Sequence, residues 1–332
     1  MRALVTGGAG FLGRHLAGRL VEDGHGVVIL DDLSTGSRAG ADELVAAGGV
    51  ELVPGSVLDA SLVDALVSRV DTVFHLAAAV GVRLVVERPL EGLRTNIHGT
   101  ENVLAAAHRH GTRVLLASTS EIYGRNPAAG LSEDADRVLG SPLAGRWSYS
   151  EAKAVGEAMA HAYWRQHGLW TVTARLFNVV GPGQTGRYGM VVPRFVDQAV
   201  RGVPLTVYGD GTQTRCFCDV GEAVGALVAL VQEPAARGRA VNIGRPEEVS
   251  VLDLARRVVA LAGSTSPITF VPYRAAYGEG FEEVPRRVPD ISLARELIGF
   301  RPQVGLDDVL RRVIAEHRAL QAARRAEGPH AG

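Results

Sequence analysis

Two short stretches carry side chains whose types and spacing could do chemistry. Tyr149 and Lys153 lie four residues apart in Trp147-Ser-Tyr-Ser-Glu-Ala-Lys153, so on a helix both project from one face. A lysine ammonium near a phenol favours the phenolate and lowers its pKa, which turns a poor base into a usable one near neutral pH. Upstream, Thr119, Ser120 and Glu121 place two hydroxyls and a carboxylate just past the apolar run 114–117. A cluster at the end of a strand stands where open parallel sheets bind their ligands.

The element that must position these groups is the first fifteen residues. Ala3 to Val5 fit a buried strand, Thr6 to Gly8 a tight turn, and Gly7, Gly10 and Gly13 follow at G-x-x-G-x-x-G spacing. Phe11, Leu12, Leu16, Leu20 and Val21 then recur near the helical period. Strand, glycine turn and helix form a cradle: missing Cβ atoms admit a pyrophosphate, and the helix start favours its charge. A second strand, Val27 to Leu30, ends in Asp31 and Asp32, which can accept hydrogen bonds from adenosine ribose hydroxyls. A carboxylate there repels a 2′-phosphate, so NAD is favoured over NADP. The same aspartates also fit an exposed loop. The positive nicotinamide ring of NAD would join Lys153 in favouring the Tyr149 phenolate.

Length and composition allow one large or two modest domains, with 46% hydrophobic and 21% charged residues, as in a soluble globular protein. Lys plus Arg (35) nearly balance Asp plus Glu (36), so no strong field points to nucleic acid or a membrane. No apolar run reaches spanning length, and a first strand beginning at residue 2 leads us to expect no signal peptide and a cytoplasmic location. Cys216 and Cys218, one residue apart, would face opposite ways on a strand, which suits core fillers rather than a disulfide or metal pair.

Along the rest of the chain, helices are predicted near 41–47, 61–69, 91–110, 149–167, 191–201, 221–232, 251–262 and 306–322. Strands are predicted at 50–53, 72–76, 114–117, 171–176, 205–208 and 240–244, the last rejoining the large sheet, and 268–272 is short and extended. Gly209-Asp-Gly211 is a hairpin signal between 205–208 and 213–218. Ser34 and Gly36 sit in the polar loop after Asp32, and Leu76, Ala77 and Ala78 end a strand with small residues that let a flat cofactor pass. Asp59 can meet the adenine edge or cap the next helix. His75, inside an apolar run, reads as a satisfied core histidine, and Asn96 as a residue that bonds nearby loop backbone.

The glycine turn, Asp31, Thr119-Ser-Glu121 and Tyr149-x-x-x-Lys153 together resemble the extended short-chain dehydrogenase/reductases that act on nucleotide sugars. The resemblance continues through Leu176-Phe-Asn178-x-x-Gly-Pro, Leu205-Thr-Val-Tyr-Gly-Asp-Gly-Thr-Gln-Thr-Arg215 and Arg287-Val-Pro-Asp290, so it covers the chain to about residue 320. It implies an α/β fold: a Rossmann-type doubly wound parallel sheet with a smaller α/β substrate-binding domain. We expect the NAD-binding part at 1–177, with 216–247 rejoining it, the nucleotide-sugar part at 178–215 and 248–322, and a frayed tail at 323–332.

The resemblance also implies a tightly held NAD that oxidises the sugar at C4 and later returns the hydride. Tyr149 would be the base on the C4 hydroxyl, Thr119 its hydrogen-bond partner, and Lys153 the holder of the nicotinamide ribose. Asn178 and Arg215 would hold the diphosphate, Leu205, Val207 and Tyr208 the uracil, and Arg287 with Asp290 the nucleotide from the other side. Within the group, Thr119-Ser120-Glu121 is most similar to UDP-glucuronate decarboxylases, which form UDP-xylose. The Tyr149-Ser-Glu-Ala-Lys153 wording departs from their usual Tyr-Asp-Glu-Gly-Lys. Arg187 can meet a hexuronate carboxylate or be a solvated loop residue. The alternatives are 4-epimerisation of a UDP-hexose or hexuronate, 4,6-dehydration, and, in another class, an NAD-binding sensor without turnover. A homodimer is expected, paired through helices 91–110 and 149–167, the second carrying Val155, Met159, Ala162 and Tyr163. That stripe also fits core packing against the sheet.

Overall fold

The computed structural model of the chain describes residues 1–79, 89–186, 189–277 and 283–326. Its centre is a seven-stranded parallel sheet: β1 (Arg2–Thr6), β2 (Gly26–Asp31), β3 (Val50–Pro54), β4 (Thr72–His75), β5 (Arg113–Thr119), β6 (Thr171–Leu176) and β11 (Ala240–Ile243). The spatial order is β11-β6-β5-β4-β1-β2-β3. The order reverses between β1 and β4, and at such a switch point the loops leaving the strands part to form a crevice.

β1, β2 and β5 carry continuous apolar runs, Ala3–Val5, Val27–Leu30 and Val114–Ala117, because both faces of the sheet are covered there. Over one face lie α1 (Phe11–Glu22), through Leu16, Ala17 and Leu20, and α7 (Val220–Gln232), through Ala223, Leu227 and Leu230. Between these two in the chain come α2 (Arg38–Ala47), α3 (Ala60–Val67), α4 (Pro89–His110), α5 (Ser148–His167) and α6 (Val191–Arg201). The other face is packed by Val63, Leu66 and Val67 of α3, Val103, Leu104 and Ala107 of α4, and Ala160 of α5. Each large aliphatic side chain buried this way is worth about 1.5–3 kcal/mol.

A second apolar core forms around α6, β8 (Leu205–Tyr208), α8 (Val251–Leu261) and α11 (Leu306–Ala326). The remaining elements are β7 (Val179–Val180), β9 (Thr214–Cys216), β10 (Cys218–Asp219), β12 (Glu248–Ser250), β13 (Ile268–Val271), α9 (Tyr273–Tyr277) and α10 (Ser292–Ile298). The hairpin expected at 209–211 is corrected: β8 pairs in parallel with β13, and β9 pairs antiparallel with β12. Gly209 and Gly211 both have positive φ, and Cβ atoms there would lie 2.5 Å from the Tyr273 ring and 2.9 Å from Leu252. The turn therefore threads between packed side chains and carries the chain to another partner instead of reversing it. Helices α9 and α10 were not anticipated. Cys216 and Cys218 are buried free thiols, and no helix of the described residues is long and apolar enough to cross a membrane.

Candidate active site

A cavity of about 610 Å³ runs along the C-terminal ends of the sheet strands and under the second core. Its floor is the glycine turn. Gly7 has φ +71°, and a Cβ there would stand 2.7 Å from the Ala77 amide nitrogen; one on Gly13 would stand 2.3 Å from the Gly7 carbonyl oxygen. Gly10 precedes α1 without a side-chain cap, so the helix start, with Phe11 and Leu12, faces the cavity. Asp31 ties the turn to β2: its carboxylate accepts from the Ala9 amide at 2.9 Å and the Leu33 amide at 2.8 Å. Burial holds its pKa above the usual value, with the two amides pulling the other way. Asp32, whose carboxylate accepts from Ser34, also lines the cavity, as do Ser34, Leu76, Ala77 and Ala78. Gly36 packs beneath, where a Cβ would meet that of Ala9 at 2.9 Å.

Asp59 does not join this wall. Its carboxylate accepts from the Leu62 amide at 3.0 Å and caps α3, the second of its two readings, while Gly55 and Val57 line the cavity instead.

Thr119 ends β5, and its hydroxyl accepts from the Glu121 amide at 3.2 Å, opening a 3-10 turn over Ser120–Tyr123. That turn points Glu121 at Arg287, with Oε1 2.5 Å from Nη1, and the same guanidinium donates to Ser120 Oγ at 3.3 Å. Arg146 Nη2 stands 3.3 Å from the other Glu121 oxygen. Burial would raise the Glu121 pKa, but Arg287, Arg146 and Arg215 outweigh it and hold it down at about 2. Glu121 is an ionised carboxylate gripped from both sides.

Tyr149 and Lys153 open α5 and both line the cavity. Lys153 Nζ donates to the Ala117 carbonyl at 2.9 Å. Burial lowers its pKa to about 8, with the Glu157 charge acting in the opposite sense. Tyr149 differs from the sequence expectation: burial, and then the negative charge of Glu121, push its pKa up. The protein's own groups thus keep the phenol protonated.

The frame behind these groups is polar and buried. Glu157 accepts a short hydrogen bond from Ser118 and pairs with Arg175 at 2.8 Å; Arg175 donates onward to Tyr123 at 3.0 Å, whose hydroxyl donates to Asn242 at 2.7 Å. His75 bridges Thr6 at 2.8 Å and Thr100 at 3.1 Å, and burial lowers its pKa to about 3, so it is a neutral core histidine. Asn96 bonds both the amide and the carbonyl of Ala79.

Of the substrate candidates, Asn178, Tyr208, Arg215 and Arg287 line the cavity. Asn178 Nδ2 donates to the Cys216 carbonyl at 3.0 Å, Arg215 pairs with Glu283 at 2.5 Å, and the Arg194 guanidinium stacks 4.1 Å above the Tyr208 ring. Leu205 and Val207 do not reach it: strand alternation turns them into the second core, fully buried, and Tyr208 to the cavity. Asp290 is also elsewhere, accepting from the Ser292 amide at 2.8 Å at the approach to α10. Arg187 lies outside the described residues. Arg146, Arg194, Gly55, Val57 and Glu283 are among the lining residues that sequence reasoning missed. Only Arg146 carried a signal, a cation three residues ahead of Tyr149.

The sequence matches the NAD dependent epimerase/dehydratase family over residues 3–244. The chain belongs to that family. It is 41% identical over 321 residues to the UDP-N-acetyl-alpha-D-glucosaminuronate decarboxylase of Bacillus cytotoxicus, covering 96% of this chain and 98% of that one. It is 38% identical to UDP-glucuronic acid decarboxylase 1 of Xenopus tropicalis, covering 94% of this chain and 71% of the relative. Among solved structures, UDP-glucuronic acid 4-epimerase from Bacillus cereus, in complex with UDP-glucuronic acid and NAD, superposes with a TM-score of 0.85 at 28% identity, covering 96% of this chain and 100% of that one. The protein is therefore an NAD-dependent enzyme with the doubly wound fold. The glycine turn, which has no room for a Cβ at Gly7 or Gly13, and the acidic end of β2 fit a dinucleotide.

Proposed function

We propose that the enzyme decarboxylates a UDP-hexuronate, UDP-glucuronate by preference, forming UDP-xylose. The observation that carries this reading is Glu121 held ionised between Arg287 and Arg146 beside Tyr149, an arrangement that brings cationic groups to the sugar end of the cavity. Relatives at 38–41% identity named as decarboxylases of glucuronate-type sugars support it.

Gly7, Gly10, Gly13 and Asp31 would hold NAD, with Lys153 on its ribose. When bound, NAD supplies the hydride acceptor for C4 and a positive charge that offsets the burial and the Glu121 charge at Tyr149. Tyr149 takes the proton from the C4 hydroxyl, and Thr119 orients that hydroxyl. With a ketone at C4, the C5 carboxylate is that of a β-keto acid; loss of CO2 leaves an enolate whose charge the ketone oxygen accepts. A proton must then reach C5, the hydride taken from C4 would be given back to that carbon, and Tyr149 would return the proton to its oxygen, which gives UDP-xylose. Glu121, ionised at neutral pH, serves to orient groups, and a proton relay passes through Ser120 or water. Asn178 and Arg215 would hold the diphosphate, where an arginine fork matches its oxygens.

Incubation with UDP-glucuronate, UDP-N-acetylglucosaminuronate and UDP-glucose separates the readings by product mass. CO2 loss from UDP-glucuronate is the expected result; preference for the N-acetylated uronate is the second reading, favoured by the 41% relative. We place the enzyme in the cytoplasm, consistent with its two free, buried cysteines. We also propose a homodimer through α4 and α5, supported by Val155, which is 41% exposed on α5.

A further inference from the structure

We propose that Arg146 recognises the carboxylate of the hexuronate and so sets the preference for acidic over neutral sugars. The inference rests on the hexuronate reading above. Arg146 stands on a 3-10 turn, Gly145–Trp147, that runs directly into α5. Tyr149 follows three residues later, so this turn delivers the guanidinium to the same end of the cavity as the phenol. The side chain is 9% exposed and lines the cavity wall.

Its support is rigid. Trp147 is fully buried, and the guanidiniums of Arg146 and Arg125 each lie 5.8 Å from its ring centroid. A cation seated on an indole and fixed at a turn loses little freedom when it binds an anion.

The neighbouring charges favour an incoming carboxylate. Arg146, Arg215 and Arg287 all lower the Glu121 pKa, and burial together with Arg215 and Arg146 lowers that of Arg287. Arg146 and Arg215 each stand close enough to Arg287 to repel it. Arg287 meets Glu121 at 2.5 Å and also donates to Ser120, and Arg215 meets Glu283 at 2.5 Å. The Arg146–Glu121 contact, at 3.3 Å, is longer than the Arg287–Glu121 and Arg215–Glu283 pairs and exceeds the span of a tight charge-assisted hydrogen bond. It is the pair most readily exchanged for a ligand carboxylate, whose two oxygens match the guanidinium fork. A neutral sugar brings no such charge and leaves the repulsion in place.

The test compares Arg146→Met and Arg146→Lys with the wild-type holoenzyme. CO2 release from UDP-glucuronate should show KM raised by about 10- to 100-fold in Arg146→Met and partly restored in Arg146→Lys. Inhibition by UDP, which has no sugar carboxylate, should stay within about twofold. An unchanged KM, or equal weakening of UDP and UDP-glucuronate, overturns the assignment while leaving the decarboxylase reading intact. If wild-type enzyme releases no CO2 from any UDP-hexuronate, that reading fails first. Calorimetry of UDP-glucuronate against UDP then decides Arg146 separately: a selective loss of UDP-glucuronate affinity in Arg146→Met supports it, and equal affinities overturn it.

Discussion

Tyr149 and Lys153 carry opposite electrostatic loads. The phenol is pushed up by burial and by Glu121, and the ammonium is pushed down to about 8 by burial. Tyr149→Phe should therefore keep bound NAD but lower kcat by about a hundredfold or more, measured as turnover beside the dinucleotide released on denaturation. Activity near wild type would remove Tyr149 from the role of base. The charged form of Lys153 is the one that favours a phenolate, and it is lost as pH rises through about 8. The expected pH profile of kcat/KM thus has an alkaline limb near pH 8, and Lys153→Ala should lower NAD affinity as well as rate. A rate flat to pH 10 would contradict this.

At the scale of elements, β5 and α5 are fastened at two points one helical turn apart, Lys153 to the Ala117 carbonyl and Ser118 to Glu157. Arg175 on β6 completes the clamp, with both members of the Glu157–Arg175 pair 13% exposed. Glu157→Gln leaves a buried guanidinium without its counter-charge, so stability should fall by about 3–5 kcal/mol, seen as a Tm about 5–10 °C lower. The alkaline limb of the rate should also move to lower pH, because the Glu157 charge is what opposes the depression of Lys153. These elements were legible in the sequence because short-range spacing specifies them: the glycine turn, the strand runs and the Tyr149–Lys153 helix are local patterns. Asp59 and Asp290 were harder, since an aspartate just ahead of a helix suits a ligand or a helix start equally and only packing decides. Leu205 and Val207 alternate correctly, but which face meets the cavity depends on β13, more than 60 residues away. Arg146 meets Glu121 across 25 residues, a distance at which no periodicity operates.

For the molecule as a whole, the apolar stripe of α5 divides. Met159 and Tyr163 pack partly against the sheet core, whereas Val155 remains 41% exposed. A second copy meeting α4 and α5 would cover it. Light scattering at micromolar concentration should report twice the chain mass, and Val155→Glu should shift it toward the monomer; a monomeric wild type would reject the dimer.

The account turns on what leaves the sugar, and one measurement tests that most directly: mass spectrometry of the product formed from UDP-glucuronate in deuterium oxide. The expected product is a UDP-pentose that has lost CO2 and carries one solvent deuterium at C5, because the enolate is protonated there. A product of unchanged mass, without deuterium and with C4 inverted, would contradict decarboxylation and make the enzyme a 4-epimerase.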